Sequence, residues 1–157
     1  MASNDSSLDQ GMPRPPPCVL LLNGFTGVGK LTAAKSLASA LQSNHTPCRL
    51  INNHLLIDPV IAIEPIRNKA HYTLRKEFRR LAMEGLNRLS QNKENENKHI
   101  IIWTAALATS HLPTPYDDTT HFCEYLDFAK TRGVPLVFVN ITCDLESNCE
   151  TVVKRRG

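Results

Sequence analysis

The sequence predicts an α/β fold in which helices flank a parallel β-sheet. Four short apolar runs alternate along the chain with stretches whose apolar residues recur at helical spacing. The runs are almost continuously apolar, which is typical of strands buried on both faces. This alternation predicts right-handed βαβ crossovers and a three-layer αβα architecture. The predicted strands are residues 19–22, 48–52, 99–107 and 134–143, and the main predicted helices are residues 31–41, 68–91 and 119–131.

The length and composition indicate one soluble domain. The chain has 157 residues, of which 41% are hydrophobic and 21% are charged, values that are ordinary for a globular protein. Residues 1–17 are polar and end in a proline cluster, so we expect a disordered tail before a folded domain at residues 18–157.

Charge, cysteine usage and hydropathy exclude several classes of protein. A formal net charge of +3 is too small to indicate nucleic-acid binding, although it is compatible with small anionic ligands. The five cysteines include no C-x-x-C pair, so neither a zinc site nor a disulfide framework is predicted. No apolar stretch approaches the ~20 residues of a membrane span, and the N-terminus lacks a signal-peptide pattern. We therefore expect a cytoplasmic protein without membrane association; its oligomeric state stays open.

A glycine-rich turn joins the first predicted strand to the first predicted helix. Its letters are GFTGVGKLT, and the helical pattern follows directly. Glycines let backbone N–H groups approach phosphate closely, and a helix N-terminus adds further donors and a positive dipole end. Lys30 is predicted to contact the β- and γ-phosphates of a nucleotide, and Thr32 to contact Mg²⁺. The alternative is a glycine-rich turn with an incidental lysine. The predicted phosphate-binding residues are Gly24, Thr26, Gly27, Val28, Gly29, Lys30, Leu31 and Thr32.

A substrate region is predicted where the second strand ends. Polar residues at the carboxyl end of a parallel strand face the crevice that binds ligands in open α/β sheets. Asn53, His54 and Asp58 lie there, and Asp58 is a candidate base toward an acceptor hydroxyl. The alternatives are a loop histidine bonded to backbone and a carboxylate that caps a turn before Pro59.

The predicted helix at residues 68–91, with the residue before it, carries basic residues every four positions. Guanidinium groups bind phosphate or carboxylate in a bidentate manner, so Arg67, His71 and Arg75 are candidate substrate ligands. A solvated basic face is the alternative, and it is favoured for Arg79. The predicted buried residues of this helix are Ala70, Leu74, Phe78, Leu81, Leu86 and Leu89.

The segment from Gly24 to Thr32 resembles the G-x-x-G-x-G-K-x-T form of the small P-loop kinases, which include adenylate, shikimate and gluconate kinases. The stretches INNHLLIDP, AHYTLRKEFR and GVPLVFVNITCD are similar to an uncharacterised ATP-binding fungal set of that group. The resemblance implies a sheet in the order 2-3-1-4-5, ATP with Mg²⁺, a small-molecule acceptor, and lid arginines beginning at Arg155 and Arg156.

Two features depart from that group. The sequence ends at Gly157, so a fifth strand and most of a lid have no counterpart, and the expected sheet is 2-3-1-4 in a domain truncated at its C-terminus. The third strand ends in Trp103-Thr104-Ala105-Ala106, without the carboxylate that often holds Mg²⁺. The leading hypothesis is an ATP-dependent small-molecule or nucleotide kinase. The alternative is a nucleotide-binding module or inactive fragment without turnover; a GTPase-like switch is disfavoured because no N-K-x-D signature is present.

Overall fold

The computed structural model describes residues 14–91, 99–107 and 118–144, without the side chains of residues 89–91. Four strands and four helices occur in these ranges. The strands are β1 (Val19–Asn23), β2 (Cys48–Ile51), β3 (Ile100–Thr104) and β4 (Leu136–Asn140). The helices are α1 (Lys30–Ser43), α2 (His54–Ile63), α3 (Lys69–Gln91) and α4 (Asp118–Thr131).

The four strands form one parallel sheet in the order β2-β3-β1-β4. Val19 of β1 pairs with Ile101 of β3 on one side and with Leu136 of β4 on the other. All strands therefore end at the same edge of the sheet, and the α/β fold class and strand order predicted from the sequence are confirmed.

Two apolar clusters cover the two faces of the sheet. On one face, Ala34 and Ala38 of α1 pack over Ile100 and Ile102, where small side chains let the helix lie close to the strands. On the other face, Trp103 is fully buried against Tyr125 and Phe128 of α4, with ring centroids 5.4 and 6.1 Å apart. Met83 and Leu86 of α3 complete that second cluster. The result is a three-layer arrangement.

The segment after β2 is more helical than the sequence indicates. No helix was predicted between residues 52 and 68, whereas α2 begins at His54 and includes Pro59. Pro59 lies in the middle of α2 without ending it. The first predicted strand is one residue shorter than β1, whereas the other three are longer than β2, β3 and β4 by one, four and five residues. The predicted N-terminal tail falls largely on residues 1–13, and the predicted lid arginines Arg155 and Arg156 fall in residues 145–157; both ranges lie outside the described residues.

The inward face of α3 is the main correction to the predicted core. Leu81 is 60% exposed and Ala70 is also exposed, whereas His71 and Arg79 are buried at 1% and 4% exposure. The basic row continues along the helix into Met83 and Leu86, so it belongs to the buried face. His71 and Arg79 are accommodated there because each has a polar partner.

Candidate functional site

The turn after β1 has the backbone conformation that its glycines permit. Gly24, Gly27 and Gly29 have φ values of 153°, 93° and 85°, all in the region that side chains other than glycine rarely adopt. Gly29 is the N-cap of α1 and makes no side-chain capping hydrogen bond. α1 thus begins directly after the glycine turn, and the first turn of a helix is where backbone N–H groups bind anions.

Gly24 is the position in this turn with least space. An added Cβ would lie 2.4 Å from the carbonyl oxygen of Ile141, the residue that follows β4. The Ile141 N–H donates to the Asn23 carbonyl at 2.8 Å, which holds the two segments together. The glycine thus allows the chain after β4 to pack directly against the turn.

Lys30 folds back over the turn. Its Nζ donates to the carbonyl oxygens of Gly24 and Phe25 at 2.5 and 2.6 Å. The ammonium group is consequently held against the glycine turn that leads into α1. Thr32 lies exposed in the first turn of α1, on the solvent side.

Asn23 connects three segments at the carboxyl edge of the sheet. Its Oδ1 accepts from the Leu107 N–H at 2.7 Å, and its Nδ2 donates to the Leu107 carbonyl and to Asn140 Oδ1, both at 3.1 Å. Asn23 is 7% exposed, so these bonds are shielded from water. The segment after β3 is thereby fixed beside the glycine turn.

A first cavity, of about 540 Å³, opens beside the glycine turn. Gly24, Phe25 and Thr26 form one wall. Phe122 and Phe138 form an aromatic wall, and their ring centroids are 5.6 Å apart. Asn140, Ile141 and Thr142 line the side below β4. We call this space the loop cavity.

A second cavity, of about 340 Å³, lies between α3 and α4. Tyr72, Arg75 and Arg79 of α3 face Asp118, His121 and Tyr125 of α4, and Asn53 closes one end. We call this space the arginine cavity. Ala106, Leu107 and Asp118 line both cavities, so the two spaces adjoin along that wall.

A partly buried ion pair includes Arg79, which lines the arginine cavity. Arg79 Nε lies 2.6 Å from Glu124 Oε2, and the Arg79 guanidinium lies over the Tyr125 ring with its carbon 6.0 Å from the centroid. Arg79 Nη2 is buried and has no hydrogen-bond partner among the described residues. One nitrogen of a charged group thus stays unsatisfied at the cavity wall, which is unusual in a folded protein.

Burial is the main cause of the pKa shifts around this cavity, and neighbouring charges contribute less. Burial, then the neighbouring Arg79 charge, lowers the pKa of Arg75. Burial, then Arg79, also lowers the pKa of His121, although Glu124 and Asp118 act in the opposite direction. Burial raises the pKa of Tyr125 to about 12, so its hydroxyl is neutral at physiological pH.

The predicted substrate residues are divided by the fold. Asn53 and Arg75 line the arginine cavity. His54 and Asp58 lie on α2, 67% and 68% exposed, with His54 Nδ1 and Asp58 Oδ1 3.3 Å apart, and they line neither cavity. Arg67 is exposed, and His71 is buried with its Nδ1 2.8 Å from the Glu64 carbonyl. Their predicted roles remain untested hypotheses.

Several residues of the site were missed by sequence reasoning. Arg79 was assigned to a solvated face, whereas it is buried and lines the arginine cavity. The cavity also contains three side chains of α4, namely Asp118, His121 and Tyr125. The spacing of Asp118, His121 and Tyr125 at i, i+3 and i+7 places them on one helix face, which is the signal that points to them.

The end of β3 carries a hydroxyl instead of a carboxylate. Thr104 is 2% exposed; its Oγ1 accepts from the Asn53 N–H at 3.0 Å and donates to Asn52 Oδ1 at 3.2 Å. This network ties the chain after β2 to β3. Among the described residues, no group of three or more His, Cys, Asp or Glu side chains is arranged to hold a metal ion.

Comparisons with known proteins identify the fold. Neither a protein-family model nor a curated protein matches the sequence. The solved structure of APE1195 covers 90% of this chain and 69% of its own, with a TM-score of 0.54 and 15% identity. The APS kinase CysC of Mycobacterium tuberculosis, solved with AMPPNP and APS, covers 87% of this chain and 69% of its own, with a TM-score of 0.52 and 16% identity. At these identities the similarity establishes a P-loop kinase-like fold.

None of the described helices has the length and apolar character needed to cross a bilayer.

Proposed function

We propose that this protein is an ATP-dependent phosphotransferase that acts on a small-molecule acceptor. One observation carries the proposal: the loop cavity, which is lined by Gly24, Phe25 and Thr26 of the glycine turn, adjoins the arginine cavity along Ala106, Leu107 and Asp118. A kinase needs a phosphate-binding site and an acceptor site in contact, because phosphoryl transfer depends mainly on positioning.

The glycine turn fits the triphosphate of ATP by the chemistry of its donors. The N–H groups at the start of α1 and the Lys30 ammonium are the groups that bind phosphate oxygens, and no carboxylate is present in the turn to oppose them. Bound ATP would supply the phosphoryl group, with Mg²⁺ neutralising its charge and Thr32 placed to serve the metal. Lys30 would exchange its bonds to the Gly24 and Phe25 carbonyls for phosphate oxygens.

Asp118 is the carboxylate that lines both cavities. Its side chain is 27% exposed, and Oδ1 lies 3.4 Å from His121 Nδ1. A base must reach both the acceptor hydroxyl and the side from which phosphate arrives. Asp118 therefore joins Asp58 as a candidate base, and its place on the shared wall makes it the preferred one.

The experiment is ADP formation with the full chain and a panel of acceptors that includes nucleoside monophosphates, sugars and sugar acids. We expect ADP release and a phosphorylated product with at least one acceptor, and loss of both in Lys30→Ala. Lys35→Ala, on the exposed side of the same helix, is the matched control and should retain activity. Product formation that survives Lys30→Ala would contradict the proposal.

A second candidate is a nucleotide-binding module without turnover. The observation in its favour is Thr104, which occupies the end of β3 with a hydroxyl engaged by Asn52 and Asn53. ATP binding that depends on Lys30, with no product from any acceptor, would favour this candidate.

A further inference from the structure

We propose that the proline cluster at residues 13–17 is a docking segment for a second protein, namely a domain that recognises polyproline II helices through an aromatic-lined groove. The inference is independent of the proposed function, because residues 14–17 line neither the loop cavity nor the arginine cavity.

The composition of the cluster confines its backbone. Residues 13–17 read Pro-Arg-Pro-Pro-Pro, so four of the five are prolines. A proline ring fixes φ at about −65°, and a residue that precedes proline is restricted to extended and polyproline II conformations. Arg14, Pro15 and Pro16 each precede a proline. The segment is therefore restricted to polyproline II before any partner binds, and little conformational entropy is lost on binding.

The structure leaves the cluster accessible. Residues 14–17 belong to neither a helix nor a strand, and Arg14, Pro15 and Pro16 are exposed. Within the part of the chain that the structure describes, residues 14–17 make no hydrogen bond or ion pair. Their carbonyl oxygens and proline rings are consequently available to a partner.

The sheet anchors the C-terminal end of the cluster. Val19, the first residue of β1, is fully buried, and its N–H donates to the Pro135 carbonyl at 2.9 Å. The Cys18 carbonyl accepts from the Ile101 N–H at 3.0 Å. Pro17 thus lies one residue from a fixed point of the fold, and a partner can bind the prolines without displacing a strand.

The cluster and the glycine turn lie at opposite edges of the sheet. The four strands are parallel, and residues 14–17 precede the start of β1, whereas the glycine turn follows its end. The five residues of β1 separate the two by about 16 Å. A domain docked on the prolines therefore leaves the glycine turn open.

Arg14 adds a charge that the groove of such a domain can use. Proline-rich segments dock on aromatic side chains, and a guanidinium group stacks on aromatic rings or pairs with a carboxylate beside them. Arg14 is exposed and has no acidic partner among the described residues. The chemistry therefore favours a groove with aromatic walls and an acidic rim.

The test is titration of the full chain into a panel of isolated, isotope-labelled SH3 and WW domains, followed by NMR. We expect saturable binding to at least one domain, with resonance shifts at its aromatic groove. Affinity should fall at least about tenfold in a Pro15→Ala/Pro16→Ala double variant. Arg14→Gln should bind about threefold more weakly and with less dependence on salt. A panel in which no domain binds, or a domain that binds the double variant as tightly as the parent chain, would overturn the inference.

Matched variants separate the cluster from other exposed prolines and arginines. Pro65→Ala removes an exposed proline between α2 and α3, and Arg88→Gln removes an arginine of α3 that is 75% exposed; neither should change the affinity for the domain. Lys30→Ala should also bind the domain like the parent chain, since Lys30 begins α1 at the other edge of the sheet. Domain binding without any ATP binding would count against the proposed function alone. A domain that competes with ATP would contradict the placement of the docking segment.

Discussion

Buried Arg79 of α3 and partly exposed Glu124 of α4 form an ion pair, with Nε and Oε2 2.6 Å apart, that joins the two helices on one face of the sheet. Arg79 lines the arginine cavity, and Glu124 accepts the hydrogen bond from its Nε. The pair consequently links the packing of α3 on α4 to the charge that the cavity presents.

Replacement of Glu124 by glutamine should destabilise the protein by about 3 kcal/mol, because it leaves the Arg79 charge buried without its counterion. Urea unfolding of the variant measures this. Glu77→Gln is the matched control, since Glu77 is 52% exposed and pairs with Arg80 on the solvent side, and its cost should stay below about 0.5 kcal/mol. Equal effects of the two substitutions would show that the Arg79–Glu124 pair has no special role.

Gly24→Ala should cost more than about 2 kcal/mol and weaken nucleotide binding, because its Cβ would collide with the Ile141 carbonyl oxygen and its φ is positive. Gly85→Ala is the control: an added Cβ there meets no atom within 4 Å, and alanine is the better helix former. Thermal unfolding should show Gly85→Ala as stable as the parent chain or more so. A Gly24→Ala variant that unfolds like the parent would be inconsistent with the close approach of the chain after β4.

The stability of the empty protein should fall at acidic pH in a manner that depends on His121. Its pKa is lowered in the folded state, so the unfolded chain binds the proton more readily, and stability present above pH 6.5 is lost as the pH falls. Denaturant unfolding between pH 7.5 and 5.5 should therefore show a smaller loss in His121→Gln than in the parent chain. An identical pH dependence in the two proteins would argue against a lowered pKa at this position.

Asn23→Ala should destabilise the protein by about 2 kcal/mol, since it removes three shielded hydrogen bonds and leaves Leu107 without its side-chain partner. Hydrogen exchange of the Leu107 amide reports the local effect and should accelerate. Asn44→Ala, at the exposed end of α1, is the comparison and should change stability by less than about 0.5 kcal/mol. Unaltered exchange at Leu107 would mean that Asn23 does not hold this segment.

The sheet was predictable because its signals are local. Runs such as Ile100–Thr104 are apolar throughout, and Gly24, Gly27 and Gly29 are spaced between a strand and a helix, so both the sheet and the glycine turn follow from neighbouring residues. The strand order came from the resemblance to a known group of proteins and not from any contact within this chain.

The arginine cavity was only partly predictable because its parts come from distant stretches of the chain. The assignment of Arg79 to solvent failed because helical periodicity counts a charged residue as exposed, and its partner Glu124 lies 45 residues further on. Leu81 was placed in the core by the same rule. Burial of a charge depends on its counterion, which sequence spacing within one helix does not reveal.

The most direct test of the central claim is calorimetric titration of ATP with Mg²⁺ into the full chain and into Lys30→Ala. The account predicts saturable 1:1 binding to the parent chain and a loss of affinity of at least about 100-fold in the variant, with its thermal unfolding unchanged, since Lys30 is the cation held over the glycine turn. Equal ATP affinity in the two proteins would contradict the account.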